Sequence, residues 1–472
     1  MQARLSDLLA HLPGARLTGE ALFDGVSTDS RTLGAGQLFV VLRGETYDAH
    51  SFLPTLAADR LAAAVIAETL PAGWTLPALI VPNTLTALGQ LGHYWRTQFS
   101  GPVIGVTGSN GKTTVKEMIA AILAAAFGQA HRLATRGNLN NEIGVPLTLF
   151  GLGAQHRAAV IEMGMNHPGE IARLAAIAAP TVAMVNNAQR EHQEFMHTVE
   201  AVARENGAVL AALPASGCAV YPADDVYTSL WAGLAGARRS ITFGLDASAD
   251  VSCTYVAGAF GSELTVTARI DDGAAQVFGV ALAAAGVHNV RNALAAMACA
   301  FAAGVPQAAI VAGLQAFAPV SGRLQRKPGA NGITVIDDSY NANPDSVRAA
   351  IAVLAQAPAP RILVLGDMGE VGTQGRQFHE EIAACAGAAG IESVLVTGEL
   401  TRHMQGRPDA PAVQHFEQFD ELLAALDTAL GSKSDATVLV KGSRFMKMER
   451  VVRHLTGTHN SDNTDNTGKE AH

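Results

Sequence analysis

The chain has 472 residues, of which 49% are hydrophobic and 16% charged, and its formal net charge is −9 at pH 7. This length is too great for one ordinary core and predicts about three domains, and the composition is that of a compact folded protein. The acidic balance, without a Lys/Arg cluster, argues against a nucleic-acid partner.

Cysteine usage and hydropathy predict the compartment. The four cysteines lie far apart in sequence and form no C-x-x-C pair, which is typical of core thiols in a reduced compartment. The first residues show no signal-peptide pattern, and no apolar run approaches the ~20 residues of a membrane span. We therefore expect a soluble, cytoplasmic protein without membrane insertion, and we expect a monomer.

The first hundred residues predict a small α/β domain, residues 1–100. Short apolar runs at residues 37–42, 62–67 and 78–81 alternate with helical stretches such as residues 86–99. The next region opens with a different signal.

Residues 105–114, of sequence GVTGSNGKTT, describe a loop that holds nucleotide phosphates. An apolar strand precedes the loop and an Ala-rich helix follows it, so backbone N–H groups and a helix N-terminus face an anion. Lys112 is expected at the β/γ-phosphates and Thr113 at Mg²⁺. Val106 stands where the common P-loop pattern has glycine, and a chance Gly-rich turn is the alternative. The residues predicted to bind ATP here are Thr107, Gly108, Ser109, Asn110, Gly111, Lys112, Thr113 and Thr114.

Strand-like runs at residues 158–163 and 181–186 continue this second region and predict a mostly parallel sheet. A more polar stretch, residues 218–285, alternates with period two and is interpreted as an antiparallel extension. The helical pattern stops near residues 319–323, so the central domain is predicted to span residues 101–319.

The third region, residues 320–456, restarts the alternation of strand and helix. Strands are predicted at residues 333–336, 361–365, 393–396 and 437–440, with helices opening at Pro344, Arg376 and Phe419 between them. This is the pattern of a Rossmann-like doubly wound sheet, although no G-x-G-x-x-G turn follows its first strand. Residues 457–472 are polar and are predicted to be a disordered tail.

Two side chains follow neighbouring strands of the central sheet. Glu162 ends an apolar strand, and a carboxylate at that edge beside a phosphate loop suits Mg²⁺. His192 follows the next strand and is expected at the same edge. A solvated strand-end Glu and a structural His are the alternatives.

Amide-rich loops mark two further candidate sites. Asn140 and Asn141 lie between two glycines, and Asp338, Asn341 and Asn343 fill a loop between a strand and a helix. Such side chains suit a polar ligand, but they also cap turns and helices.

Two polar positions remain open at this stage. Asn289 lies at the start of an Ala-rich helix and is equally suited to be a plain N-cap. Arg323 follows a glycine at the domain boundary, where it could reach a phosphate or lie at the surface.

Taken in order, these stretches resemble the Mur ligase family, ATP-dependent enzymes that form amide bonds in peptidoglycan precursor synthesis. The resemblance runs from residues 27–31 to residues 441–444. Its most specific parts are residues 138–146 (NLNNEIGVP), 338–343 (DSYNAN) and 366–370 (GDMGE). The DSYNAN motif resembles the branch that adds a D-alanyl-D-alanine dipeptide to a UDP-N-acetylmuramoyl-tripeptide.

The resemblance implies three α/β domains and a role for each candidate residue. Lys112, Glu162, His192 and Arg323 are expected to be catalytic, and the cofactors are ATP and Mg²⁺. The implied Mg²⁺ residues are Thr113, Glu162 and His192; those facing adenine, phosphates and ribose are Asn289, Asn292, Arg323 and Asp338. Substrates are expected at Ser30, Arg31, Gly44, Asn140, Asn141, Asn341 and Asn343.

One position departs from the family pattern. Many members carry a carbamylated lysine about fourteen residues after the His, whereas the matching residue here is Asn206. Either Asn206 contacts the metal-bound water, or another acid substitutes. Glu205 is one residue away, which on a helix turns its side chain ~100° aside, so we do not expect it to substitute.

Two rival functions are carried forward. One is a different ligase of the same superfamily, such as a folylpolyglutamate synthase, with another acceptor at the same ATP site. The other is a P-loop switch without ligase activity. The amide-rich motif favours the dipeptide-adding ligase.

Overall fold

The computed structural model describes residues 1–44, 47–59, 62–270, 273–406, 412–431 and 433–457. The predicted disordered tail lies, apart from its first residue, outside the described residues. The fold contains three main β-sheets, each with its own strand order, in agreement with the predicted α/β class.

The first sheet has the order β2-β7-β6-β5-β4, and its strands are parallel except for β2. Leu38, Val40, Ile66 and Leu79 pack in one core beneath it. A separate pair, β1 with β3, is antiparallel. The elements are β1 (Gln2–Arg4), α1 (Leu5–Leu8), β2 (Arg16–Leu17), β3 (Leu22–Asp24), β4 (Val26–Ser27), β5 (Leu38–Val40), α2 (Leu53–Asp59), β6 (Ala64–Ala67), β7 (Ala78–Ile80) and α3 (Thr84–Thr97).

The central sheet has nine strands in the order β16-β15-β14-β13-β12-β11-β8-β10-β9. Its elements are β8 (Val103–Thr107), α4 (Lys112–Phe127), β9 (Arg132–Ala134), α5 (Gly144–Leu149), β10 (Ala158–Glu162), α6 (Glu170–Ala178), β11 (Val182–Val185), α7 (Gln193–Met196), α8 (Val199–Ala211), β12 (Cys218–Pro222), α9 (Thr228–Ala235), β13 (Arg239–Gly244), β14 (Val251–Ala257), β15 (Ser262–Ala268), β16 (Gln276–Leu282), α10 (Val287–Ala302) and α11 (Gln307–Gln315).

The antiparallel extension is shorter than its prediction. Strands β14, β15 and β16 are antiparallel to one another, as expected. The prediction is wrong for residues 218–244, because β12 and β13 continue the parallel part of the sheet. Helices α8 and α9 provide the crossovers that parallel strands need.

The third sheet has the order β17-β18-β22-β19-β20-β21, and only β17 is antiparallel. The four predicted strands are present, and β17 and β21 were not predicted. The elements are β17 (Gln325–Pro328), β18 (Thr334–Asp338), α12 (Pro344–Ala355), β19 (Arg361–Gly366), α13 (Gly375–Ala388), β20 (Ser393–Thr397), β21 (Val413–Phe416), α14 (Phe419–Leu430), β22 (Thr437–Lys441) and α15 (Glu449–Thr456).

Helix α3 joins the first sheet to the central one. Arg96, only 6% exposed, donates from Nε to the carbonyl of Ala178 and from Nη2 to that of Ala179, both at 3.0 Å. These carbonyls end α6, where a cation also meets the negative end of the helix dipole. Gly92 of α3 lies against Pro146, so closely that a Cβ there would be 2.9 Å from the proline side chain. The contact is therefore tightly packed as well as hydrogen-bonded.

No helix in the described part of the chain is both long and apolar enough to cross a membrane.

Candidate active site

The loop between β8 and α4 is shaped to receive an anion. Strand β8 is wholly buried, and α4 begins at Lys112, so the first turn of the helix opens at the end of a central strand. Gly108 and Gly111 have φ values of +130° and +82°, which side chains rarely adopt. A Cβ on Gly111 would lie 2.4 Å from Asn292 Oδ1. The sequence needs glycine at both positions for the loop to form.

Amide side chains brace this loop from behind. Asn186 donates from Nδ2 to the Asn110 carbonyl at 2.7 Å and to Asn292 Oδ1 at 2.8 Å. The backbone N–H of Asn110 donates to Asn187 Oδ1 at 2.9 Å. Asn292 in turn donates to Asn289 Oδ1 at 3.1 Å. Asn289 and Asn292, expected at the adenine, are thus buried supports of the loop.

The hydroxyls of the loop differ in direction. Thr107 is fully buried and donates to the carbonyls of Met184 and Asn206, both at 3.1 Å, so its side chain turns into the sheet. Ser109 Oγ accepts from the backbone N–H of Gln189 at 2.9 Å. Thr114 lies half-buried on the first turn of α4. Of the predicted hydroxyls, Thr113 reaches a carboxylate.

That carboxylate is Glu162, which ends β10 beside the loop and is 2% exposed. Its Oε1 accepts from Thr113 Oγ1 at 3.2 Å and from Asn140 Nδ2 at 2.9 Å. Its Oε2 is buried and has no hydrogen-bond partner among the described residues. Burying such an oxygen is costly unless a cation or donor joins it. The structure therefore brings together three predicted site residues and leaves one oxygen for a further ligand.

The loop after β11 lies on the other side of β8. His192 has φ of +46°, a strained value for a histidine, and its Nδ1 lies 2.6 Å from Glu370 Oε2. Its Nε2 lies 3.9 Å from Glu191 Oε2. Lys112 Nζ is 3.5 Å from the same Glu191 oxygen and donates to the carbonyl of Ser109 at 3.2 Å. Glu191 was not predicted as a site residue, although it is adjacent in sequence to His192, which was.

The described residues contain no group of three or more His, Cys, Asp or Glu side chains placed to hold a metal by themselves. Thr113 and Glu162 lie on the β10 side of the loop and His192 on the β11 side. Any ion at this edge would need oxygen ligands from the nucleotide as well.

Asp338 and Arg323 have partners within the third sheet region. Asp338 Oδ2 lies 2.6 Å from Lys441 Nζ, and its Oδ1 accepts from the backbone N–H of Leu324 at 3.1 Å. Burial raises the pKa of Asp338, while Lys441 opposes that shift. The Arg323 guanidinium lies 4.4 Å above the Tyr340 ring. The predicted ribose and phosphate contacts would require Asp338 and Arg323 to share or exchange these partners.

Asn343 combines a cap with a contact between regions. Its Oδ1 accepts from the backbone N–H of Ser346 at 2.8 Å and so caps α12, as the alternative interpretation expected. Its Nδ2 donates to Asn110 Oδ1 at 2.9 Å, which places the third region directly against the phosphate loop. Asn341 is exposed, and its Oδ1 accepts from the N–H of Ala342. Asn141 Oδ1 accepts from the backbone N–H of Gly144, the first residue of α5, at 2.9 Å.

The residues predicted for the first domain lie near its surface. Arg31 is 62% exposed, and its Nη2 lies 2.6 Å from Asp29 Oδ2. Asp29 raises the pKa of Arg31 through this hydrogen bond. Ser30 lies between them in sequence and is partly exposed, and Gly44 donates to the carbonyl of Tyr47. These residues are at least partly accessible from solvent.

Arg190 is a second residue that sequence reasoning missed. Its guanidinium lies 2.6 Å from Asp345 Oδ1 and 2.9 Å from Glu381 Oε2, both in the third region. In the sequence, Arg190 is recognisable only as a charged residue near His192, because Asp345 and Glu381 lie far away along the chain.

Comparison with known proteins agrees with this geometry. Residues 106–300 match the model of the Mur ligase middle domain, and residues 322–444 match that of the Mur ligase glutamate ligase domain. The chain is 38% identical to the UDP-N-acetylmuramoyl-tripeptide–D-alanyl-D-alanine ligase of Escherichia coli K12, over 96% of this chain and 97% of that protein. It is 33% identical to the ligase of the same name from Bacillus subtilis 168, over 92% of this chain and 94% of that protein.

A solved structure shares the whole fold. The crystal structure of MurF from Acinetobacter baumannii superposes with a TM-score of 0.89 at 32% identity, covering 97% of this chain and 99% of that one. MurF ligase from Thermotoga maritima, solved in complex with ADP, gives a TM-score of 0.80 at 26% identity over 92% and 97% of the two chains. The chain belongs to the Mur ligase family.

Proposed function

We propose that this chain joins D-alanyl-D-alanine to the C-terminal carboxylate of UDP-N-acetylmuramoyl-tripeptide, using ATP and giving UDP-N-acetylmuramoyl-pentapeptide, ADP and phosphate. The observation that carries this proposal is the near full-length similarity to ligases of that name, at 38% identity in one case. The phosphate loop at Lys112 and the amide contact between Asn343 and Asn110 support it, because a nucleotide held by this loop would lie beside the third region.

The chemistry accounts for the side chains at the loop. A peptide carboxylate is a poor acyl donor, so the γ-phosphate of ATP is transferred to it and the dipeptide amine displaces phosphate from the resulting acyl phosphate. Negative charge develops on phosphoryl and carbonyl oxygens in both steps. Lys112 and the backbone N–H groups at the start of α4 are fixed in advance to stabilise that charge.

Exclusion of water is the second requirement, since an acyl phosphate hydrolyses readily. The contacts Asn343–Asn110 and Arg190–Asp345 bring the third region over the loop, and they are side-chain contacts that can break and re-form. We infer that opening and closing of this region admits substrates and then shields the intermediate.

The residues present fit Mg²⁺ as a cofactor. Glu162 Oε2 is a buried carboxylate oxygen without a partner among the described residues, and Thr113 Oγ1 donates to the other oxygen, Oε1, at 3.2 Å. Mg²⁺ prefers such oxygen ligands and keeps several positions for water and substrate phosphates. Bound there, the ion would neutralise phosphate charge. Thr113 and Glu162 would hold it, and we propose His192 on the opposite side of the loop as a further residue near the metal.

The first region is proposed to hold the uridine nucleotide through Ser30, Arg31 and Gly44. Arg31 presents a fork of donors that matches diphosphate geometry, and its exposure leaves it accessible. The domain bounds 1–100, 101–319 and 320–456 remain proposals, as do a monomeric state and a cytoplasmic location.

The test is an assay of ADP release by the purified protein with each substrate omitted in turn. The proposal expects release that depends on both the UDP-linked tripeptide and D-alanyl-D-alanine. Release with glutamate or diaminopimelate as acceptor would identify a different ligase of the superfamily. Release that depends on neither substrate would identify a nucleotide switch. Comparing tripeptides ending in diaminopimelate and in lysine would determine the third residue.

A further inference from the structure

Glu191 is a nearly buried carboxylate beside the phosphate loop. The residue is 7% exposed. Lys112 Nζ lies 3.5 Å from Oε2, Asn206 Nδ2 lies 3.5 Å from Oε1, and His192 Nε2 lies 3.9 Å from Oε2. Hydrogen bonds to carboxylates are usually ~2.7–2.9 Å long, so these three contacts are all weak.

A carboxylate in this position needs a stronger cationic partner once a nucleotide binds. Lys112 also donates to the carbonyls of Gly108 and Ser109, and its role at the phosphates would draw it further from Glu191. The phosphates bring additional negative charge to the same place. An uncompensated buried charge is strongly unfavourable, and a divalent cation between carboxylate and phosphate removes the repulsion.

Asn206 and Glu205, the two residues at the departure from the family pattern, do not take this role. Asn206 is 1% exposed, and its Oδ1 accepts from the Gly108 N–H at 2.9 Å, so its amide presents a donor rather than an oxygen toward Glu191. Glu205 accepts from the backbone N–H groups of Gly169 and Ile171, both at 2.8 Å. It is engaged elsewhere, as the helix geometry predicted.

We propose that Glu191 is a magnesium-facing carboxylate on the β11 side of the phosphate loop. It supplies the negative charge that the position of Asn206 lacks. The inference rests on the proposed function, since it assigns a residue to the metal site of that reaction. It is a nearly buried carboxylate on the opposite side of β8 from Glu162.

The test measures ADP affinity by calorimetry with and without Mn²⁺, together with the number of bound Mn²⁺ ions by electron paramagnetic resonance. In Glu191→Gln, the affinity for ADP with Mn²⁺ is expected to fall about tenfold or more, equivalent to about 1.4 kcal/mol. The affinity of this variant for ADP without metal is expected to rise. In the absence of a metal ion, the wild-type carboxylate only repels the phosphates. The binding of one Mn²⁺ ion should be weakened or lost.

Two further variants make the result specific. Glu194→Gln removes a carboxylate from an exposed position of the same segment and should change neither affinity. Glu191→Gln combined with Asn206→Asp returns a carboxylate to the neighbouring position and should recover part of the Mn²⁺-dependent affinity. Glu191→Asp keeps the charge and provides a measurement if Glu191→Gln does not fold.

The outcomes separate this inference from the proposed function. Equal affinities for wild type and Glu191→Gln under both conditions would overturn it. A fall in both the metal-free and the Mn²⁺-dependent affinity would also overturn it, because that is the signature of a residue that only positions Lys112. A wild-type protein that binds no ADP with Mn²⁺ would instead reject the proposed function itself.

Discussion

Arg190 and Asp345 join the central region to the third region through a bidentate ion pair. Arg190 Nη2 lies 2.6 Å from Asp345 Oδ1, Nε lies 3.1 Å from Oδ2, and the backbone N–H of Arg190 donates to Oδ2 at 3.0 Å. Asp345 lies in the first turn of α12, where a negative charge is also favoured by the helix dipole. Hydrogen bonding to Asp345, and then to Glu381, raises the pKa of Arg190.

We expect Arg190→Ala to favour the open arrangement of the third region. Both partners are partly buried, so the loss of closure free energy should be about 1–2 kcal/mol, between the values for exposed and buried pairs. Small-angle scattering should show a larger radius of gyration, and the apparent KM for the dipeptide should rise. Arg348→Ala is the control, because Arg348 pairs with Glu381 inside the third region. An unchanged radius would show that other contacts hold the closed form.

Lys112→Ala should lower turnover by ~10²-fold or more while leaving the fold intact, since the lysine stabilises phosphate charge that moves during transfer. Steady-state kinetics and a thermal melt measure both quantities. Lys433→Ala removes an exposed lysine whose Nζ donates to the carbonyl of Ala429 near the end of α14, and it should behave as wild type. Near-normal turnover of Lys112→Ala would remove the phosphate-loop assignment.

Arg31→Ala should raise the apparent KM for the UDP-linked peptide much more than that for ATP. The residue is exposed and lies in the first region, away from the phosphate loop in sequence. Arg16→Ala tests for a general charge effect, because Arg16 is an exposed residue of β2 in the same region. A rise of equal size for both substrates would instead indicate a structural role for the Arg31–Asp29 pair.

Activity should not depend on dissolved bicarbonate, because Asn206 cannot be carbamylated. Asn206→Ala should lower the free energy of unfolding by about 1–3 kcal/mol, since the buried N–H of Gly108 loses its acceptor. Activity assays in bicarbonate-depleted and bicarbonate-supplemented buffer, with denaturant unfolding of the variant, measure the two effects. Stimulation of the wild type by bicarbonate would show that a carbamylated residue exists elsewhere.

The protein should lose stability as the pH falls from about 6.5 toward 4. Burial, and then the nearby Lys441, lower the pKa of His288 to about 4. In that window the unfolded chain binds a proton that the folded His288 does not, so the free energy of unfolding decreases. His288→Asn should lose less Tm than the wild type between pH 7 and pH 5. Parallel melting curves for the two proteins would contradict this assignment.

Local sequence patterns predicted the strands that carry the site. Local patterns predicted strand β8, the loop and α4, because apolar runs, glycines and a helix-forming segment follow one another directly. Glu162 was readable as a polar residue ending a buried strand. These signals depend on neighbours in sequence, and the sheet topology then brings their ends to one edge.

The contact partners of the site residues could not be predicted from local sequence patterns. Arg190 meets Asp345 and Glu381, which lie 155 and 191 residues further along the chain. The placement of Asn292 at the adenine was implied only by the family resemblance. Its position behind Gly111 follows only from the packing of α10 against the central sheet. The parallel direction of β12 and β13 likewise depends on tertiary context.

The hydrogen bonds from Arg96 to the end of α6 affect which peptide length the enzyme can accept in its substrate. They tie α3 to the end of α6, so we expect the first region and the phosphate loop to keep their relative position while the third region opens and closes. The distance between the proposed uridine site and Lys112 is then expected to stay constant. This distance determines how long the bound sugar and its peptide must be. A nucleotide with a peptide one residue too short would occupy the uridine site yet leave its carboxylate out of reach of the γ-phosphate.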